Sequence, residues 1–294
     1  MKNKIAIVTG GAGFIGSHMV DLLISKKYKV HVIDNLSGGH KKNLSHHKKN
    51  SLLKFEKIDI RNLKKNHSFF KNADFVFHFA GIGDIVPSIE NPVNYMETNI
   101  QGTIRVLEAS RYNNIKKFVY SASAACYGLN TSRTKESAKI DPKYPYALSK
   151  YMGEQAAFHW HKVYNLPVNS IRIFNAYGTR VRTTGAYGAV FGVFFKQKIK
   201  NKPFTIVGNG KQSRDFVYVT DVAKAFFHFH SSLTKPLVDG KTIILESLGV
   251  SIEFERASNI CVEEYQLSAG FNKTNMAYKL VVVFDRTLKT KILL

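Results

Sequence analysis

Ile5-Ala6-Ile7-Val8-Thr9 followed at once by Gly10-Gly11-Ala12-Gly13-Phe14-Ile15-Gly16 is the stretch that decides how the chain is read. A short, continuously apolar run is the pattern of a strand buried on both faces of a parallel sheet. The glycines end that strand in a turn, and Phe14, Met19, Leu22 and Leu23 then recur at helical spacing as far as Ser25. In such a strand-turn-helix the first glycine permits the tight turn. The second lets the backbone approach a pyrophosphate, and the third lets helix and sheet pack closely. The helix N-terminus then faces an anion.

Outward from this unit the same alternation repeats. Tyr28–Ile33, Leu52–Ile58 and Phe75–Phe79 read as strands two to four, Lys117–Ser121 and Pro167–Phe174 as later ones. Pro92 opens a helical stretch to about Arg111, and Tyr146–Tyr164 is strongly helix-compatible. The expected fold is α/β, a doubly wound parallel sheet of the Rossmann type over residues 1–174. A smaller substrate-binding region occupies 175–294, with a helix over Ala189–Lys200, a strand at Phe204–Val207, a turn at Gly208–Gly210 and a helix from near Asp221, read as its N-cap.

Composition narrows the class. At 294 residues, 44% hydrophobic and 22% charged, the chain can bury a large core, and no apolar run reaches the ~18–20 residues of a spanning helix. The basic start runs straight into the glycine cluster, which leaves no signal-peptide core, so cytoplasmic residence is expected. Cys126 and Cys261 stand far apart without CxxC spacing, against a disulfide framework or a thiolate zinc site. The formal net charge of +22 reflects lysines spread among asparagines. Even His40–Lys49, the densest stretch, lacks interleaved aromatics and reads as a solvated loop, so no specific nucleic-acid or membrane partner is expected. His159 and His161, like His228 and His230, are two apart on helices and point to different faces, so no metal is assigned. His78, inside an apolar strand, reads as a satisfied core histidine.

Two constellations carry chemistry. Asp34 closes the second strand, placed to accept both hydroxyls of an adenosine ribose and to repel a 2′-phosphate, which selects NAD over NADP; the alternative is that it caps the loop Asn35–Gly38. Tyr146 and Lys150 lie one helical turn apart on one face. A free phenol titrates near ~10, and an adjacent ammonium, helped by an oxidised nicotinamide, lowers it by ~1–3 units. Tyr146 then becomes a usable base. Ser123, just past a strand's carboxyl end, can reach the same substrate oxygen.

With these residues in place the chain resembles the extended short-chain dehydrogenase/reductases of the nucleotide-sugar epimerase/dehydratase family. The resemblance spans about residues 4–230 and is carried by the glycine turn, Asp34-Asn35-Leu36-Ser37, Asp59-Ile60-Arg61, His78-Phe79-Ala80-Gly81, Asn99, Ser123 with Tyr127-Gly128, Tyr146 to Lys150, Arg172 to Gly178 and Arg214 to Val222. It implies that Gly10, Gly13, Phe14, Ile15, Gly16, Asp34, Asn35, Asp59, Ile60, Ala80, Gly81, Asn99, Tyr146 and Lys150 hold NAD. It implies that Ser88, Ser123, Asn175 and Arg214 hold a nucleotide sugar, and that Ser123, Tyr146 and Lys150 are catalytic. Dehydratases and decarboxylases of this family carry acidic residues just after the active-site hydroxyl; here Ala124 and Ala125 stand there. Cys126, one residue further on than the cysteine acid of some epimerase-reductases, is expected to face the core. The expected reaction is therefore inversion at the sugar's 4-position through a 4-keto intermediate, as in UDP-glucose 4-epimerases. A dehydratase or reductase, or an inactive NAD-binding remnant, are the alternatives. A homodimer built on helices Tyr95–Arg111 and Tyr146–Tyr164 is also implied. Past about Ser231 the resemblance stops: Lys235–Leu294 shows neither the Asn-x-Gly strand nor the Arg-Pro loop of the family.

Overall fold

The computed structural model describes residues 4–129, 134–181, 190–206 and 216–231, with short strands at 242–245, 281–282 and 292–293. Six strands come from the first 173 residues: β1 (Ile5–Thr9), β2 (Lys29–Ile33), β3 (Leu53–Glu56), β4 (Phe75–His78), β5 (Lys117–Ser123) and β6 (Val168–Ile173). Their order across the sheet is β3-β2-β1-β4-β5-β6, every pair parallel. The order reverses between β1 and β4. There the strand ends part and leave a crevice. After two short strands, β7 (Asn175–Tyr177) and β8 (Phe216–Tyr218), which pair in parallel as a separate ribbon, β9 (Thr242–Leu245) adds a seventh parallel strand beside β6. The sheet thus gains a strand from the region where the sequence shows no Asn-x-Gly strand; the rest of Lys235–Leu294, apart from the short strands at 281–282 and 292–293, lies outside the described residues.

Successive residues of each strand feed opposite faces. Ala6 and Val8 of β1 pack with Met19 and Leu23 of α1 (Phe14–Ser25) and with Val222 and Phe226 of α7 (Val219–Ser231). Ile7 enters a second cluster with Val76, Phe118 and Tyr120, covered by Val106 and Leu107 of α4 (Gly102–Tyr112) and Ala157 of α5 (Pro145–Tyr164). Pro145 opens α5 at a position where its missing N–H costs nothing. Among the described residues no helix is long and apolar enough to cross a membrane.

After the short α2 (Ile85–Glu90), the helical stretch from Pro92 runs unbroken to Tyr112 as expected, α3 (Pro92–Met96) passing through a wide π-turn at Glu97–Gln101 into α4. Two expectations need correction. Asp221 is not an N-cap, because α7 begins at Val219; it lies in the first turn, where its charge suits the helix dipole, and its Oδ1 accepts from Lys224 Nζ at 2.9 Å. Residues 204–206 form no strand, since the Thr205 N–H donates to the Gln197 side chain of α6 (Val190–Ile199) at 3.2 Å rather than to a neighbouring strand. Val207 and the Gly208–Gly210 turn lie outside the described residues.

Candidate active site

The glycine turn between β1 and α1 forms one wall of the crevice. Gly10 has φ +68, and a Cβ there would stand 2.7 Å from the Ala80 nitrogen; a Cβ at Gly16 would stand 2.2 Å from the Gly10 carbonyl. Neither position admits a side chain. Helix α1 starts at Gly13 with no side-chain cap and no acidic residue in its first turn. Its leading N–H groups are left for an anion.

This turn opens on a groove of ≈ 740 Å³, the size of a cofactor site, lined by ten of the expected residues: Gly10, Gly13, Phe14, Ile15, Gly16, Asp34, Asn35, Ile60, Ala80 and Gly81. Asp34 is buried at the end of β2. Its Oδ2 accepts from the Ala12 N–H at 3.0 Å and its Oδ1 from the Leu36 N–H at 2.8 Å. The carboxylate therefore caps its own loop and faces the groove as well. The two functions are compatible, since each oxygen has a second lone pair.

Several expected residues stand behind the walls. Asp59 does not line the groove: Arg61 grips it through Nε at 3.0 Å and Nη2 at 2.8 Å, while Asn35 Nδ2 donates to it at 3.0 Å. The hydrogen bond from Arg61 holds its carboxyl down at about 2, against the smaller opposing effect of burial. Asn99, presented by the π-turn, is 1% exposed. Its Oδ1 accepts from Ile82 N, and its Nδ2 donates to Ile82 O and Ser149 Oγ, which fixes the Gly81–Gly83 loop. Ser88 is buried and donates to the Ile85 carbonyl at 2.6 Å, lining neither cavity. Asn175 sits in β7 between Phe174 and Ala176, which do line the site. Arg214 lies outside the described residues.

A smaller cavity of ≈ 180 Å³ adjoins the groove, sharing Ile15, Gly81 and Gly83 with it, and it holds the chemistry: Ser123, Tyr146 and Lys150. The Tyr146 hydroxyl donates to Ser123 Oγ at 3.3 Å, and Ser123 Oγ also accepts from the Ala125 N–H at 3.2 Å. Lys150 Nζ lies 4.6 Å from the centre of the Tyr120 ring. Burial pulls the Lys150 ammonium down to about 8, with the Glu154 charge opposing. Burial also raises Tyr146 above the usual phenol value; the bond to Ser123 opposes this and the charges of Asp84 and Cys126 reinforce it. The expected lowering of the phenol is thus not a property of the protein alone, because desolvation outweighs the hydrogen bond to Ser123. Cys126 faces the core as expected, 1% exposed, its thiol pushed up to about 11 by burial.

One stretch of the groove wall was not legible. Ser37–His40 and Asn43 line it, as do Arg180 and Val181. His40–Lys49 is no free loop: Lys41–His47 forms a tight helical turn on buried Leu44, and Asn43 Nδ2 hooks the Ala12 carbonyl at 2.8 Å. The Gly38-Gly39 pair was the one sequence signal of a close approach there.

A family model described as the NAD dependent epimerase/dehydratase family matches residues 6–238. The chain belongs to the NAD-dependent epimerase/dehydratase family. Within it, a putative UDP-glucose 4-epimerase of Methanocaldococcus jannaschii is 41% identical over 222 residues, 74% of this chain and 71% of that protein. A UDP-N-acetyl-alpha-D-glucosaminuronate decarboxylase of Bacillus cytotoxicus is 30% identical over 228 residues, 76% of this chain and 70% of its own. The solved structure of a UDP-N-acetylglucosamine 4-epimerase from Methanobrevibacter ruminantium M1, in complex with UDP-N-acetylmuramic acid, superposes with a TM-score of 0.80 at 36% identity, covering 87% of this chain and 80% of that one. This epimerase/dehydratase family member is a nucleotide-sugar enzyme that uses NAD. The glycine cradle, the uncapped α1 terminus and the Asp34 carboxylate fit that cofactor.

Proposed function

We propose that this chain inverts the 4-position of a nucleotide sugar, UDP-glucose in the first instance, through a 4-keto intermediate. The observation that carries the reading is the Tyr146–Ser123 hydrogen bond, set in a cavity continuous with the NAD groove and flanked by Lys150. Bound NAD supplies the hydride acceptor and, in turn, the hydride donor. The chain's own residues handle the proton. Tyr146, through Ser123, takes it from the 4-hydroxyl and returns it to the same oxygen once the flat ketone has turned over. Lys150 supplies positive charge beside that oxygen. Its depressed titration near 8 leaves it mostly charged at neutral pH.

The turn Ala124–Tyr127 carries no titratable side chain at 124 or 125. Water elimination needs a second acid and base, which those methyl groups cannot supply, and this favours epimerisation over dehydration. On the same reading Asp34 and Asn35 face the adenosine ribose, Phe14 and Ile15 offer backbone N–H groups to the diphosphate, and Asn175 and Arg214 hold the nucleotide-sugar. Val93 of α3 and Leu148 and Met152 of α5 expose apolar surface, 64%, 38% and 43% respectively, which supports a homodimer through these helices. The buried free thiol of Cys126 suits a reducing cytoplasm. Incubating the NAD-loaded protein with a panel of nucleotide sugars and following the anomeric protons by NMR tests the reading. An epimer pair from one of them supports it, and a 4-keto-6-deoxy or decarboxylated product would replace it.

A further inference from the structure

Arg180 stands out on three counts. It follows β7 with φ +66, a left-handed backbone that a non-glycine residue adopts at a cost. Its side chain lines the same groove as Gly13, Phe14 and Asp34. Its guanidinium is satisfied at one end only. Nη2 meets Asp21 Oδ2 of α1 at 2.8 Å, whereas Nη1 is buried with no hydrogen-bond partner. A buried charged donor left unpaired is expensive, and such a group in a native fold marks a place where a ligand atom is missing.

Asp21 holds only Nη2 of this guanidinium and does not take up the second nitrogen. Its Oδ1 is already taken by His46 Nε2 and His47 Nε2, each at 2.8 Å, and its Oδ2 by Arg180. Burial alone would raise this carboxyl, but the bonds from His46, Arg180 and His47 together hold it below the usual range, so it stays a charged anchor. The adjacent Thr179 carbonyl is engaged by His18 Nε2 at 3.0 Å, which ties the segment to α1. A guanidinium pinned through one nitrogen can pivot about that bond and present the other. On the wall of a groove whose glycine turn is built for an anion, the acceptor that suits it is a phosphate oxygen.

We infer that Arg180, anchored by Asp21, donates its Nη1 to the diphosphate of the bound dinucleotide and adds a side-chain grip to the backbone N–H groups of α1. The grip gives the orphaned nitrogen its acceptor.

Calorimetric binding of NAD and ADP, with adenosine followed by NMR titration, tests this on the full chain, wild type against Arg180→Met and Arg180→Lys. Hydrogen bonds to charged groups carry enough energy for Arg180→Met to weaken NAD and ADP by about 10- to 100-fold. Adenosine, which has no phosphate, should bind unchanged. Arg180→Lys keeps the charge but cannot hold Asp21 and a phosphate together, and it recovers only part of the loss. Unchanged NAD and ADP binding in both variants would overturn the inference. An equal loss for adenosine would also overturn it, because the groove's shape rather than the phosphate contact would then be at stake. Melting curves without ligand show whether Arg180→Met still folds; if it does not, Arg180→Lys alone decides by the same ADP-to-adenosine comparison.

Discussion

The hydroxyl of Tyr146, on the first turn of α5, donates to the Oγ of Ser123, the last residue of β5, at 3.3 Å. Helix and strand are 22 residues apart along the chain, so the pair exists only because α5 packs across the carboxyl end of the sheet. It is the one hydrogen bond that opposes the rise in the phenol's titration.

Removing Ser123 Oγ should therefore move the phenol further up. For Ser123→Ala we expect the pH at which kcat climbs to shift upward, since a base of higher pKa becomes competent only at higher pH, and kcat at neutral pH to fall about 10- to 100-fold. Melting temperature should hardly change. A pH-rate profile identical to wild type would remove Ser123 from the proton path.

Replacing Tyr146 by Phe should lower turnover by about 10²- to 10⁴-fold, the usual worth of a positioned acid-base group. NAD binding should persist, because the groove's glycine turn and Asp34 are untouched. Titration of NAD by fluorescence quenching alongside steady-state kinetics separates the two.

Glu154 and Arg172 form a sealed ion pair, 1% and 6% exposed at 2.6 Å, with Ser170 Oγ donating to the same carboxylate at 2.6 Å. Glu154→Ala would leave Arg172 buried without its counter-charge. That should cost about 3–5 kcal/mol in urea unfolding. Replacing both residues by apolar ones of similar volume should cost much less.

The buried strand histidine predicts acid sensitivity. His78 is fully buried; Thr9 Oγ1 lies 2.6 Å from Nδ1 and Thr103 Oγ1 2.9 Å from Nε2. Burial, with a smaller push from Lys150, brings it down to about 3 from a usual 6.5. Between those values the unfolded chain binds a proton that the folded chain refuses, so this contribution to stability is complete above about 6.5 and declines as pH falls toward 3. From pH 7 to pH 5 the loss from His78 alone should be about 2 kcal/mol. His230, brought down to about 4 chiefly by burial, adds to it in the same direction. Urea unfolding at a series of pH values measures the slope, and His78→Asn should flatten it while lowering stability throughout.

What could be read ahead of the structure was what local sequence encodes. The β1 turn and α1 were legible because one glycine spacing fixes the turn, the close packing and the anion-facing helix end together. Tyr146 and Lys150 were legible because a helix places residues four apart on one face. The π-turn that presents Asn99 was not, since apolar spacing in Pro92–Tyr112 stays compatible with a continuous helix. Asp59 was drawn behind the wall by Arg61, a neighbour two residues away whose side-chain direction spacing does not reveal. His46 and His47 looked solvated because their partner, Asp21, is 25 and 26 residues distant in sequence. Tyr146's raised titration depends on burial, which arises only in the packed fold.

The most direct measurement is proton NMR of UDP-glucose incubated in deuterium oxide with the NAD-loaded protein. Hydride removal and return within the site predicts UDP-galactose with ordinary hydrogen retained at carbon 4, and none from Tyr146→Phe. Deuterium at carbon 4, or an epimer formed at full rate without the Tyr146 hydroxyl, would contradict it.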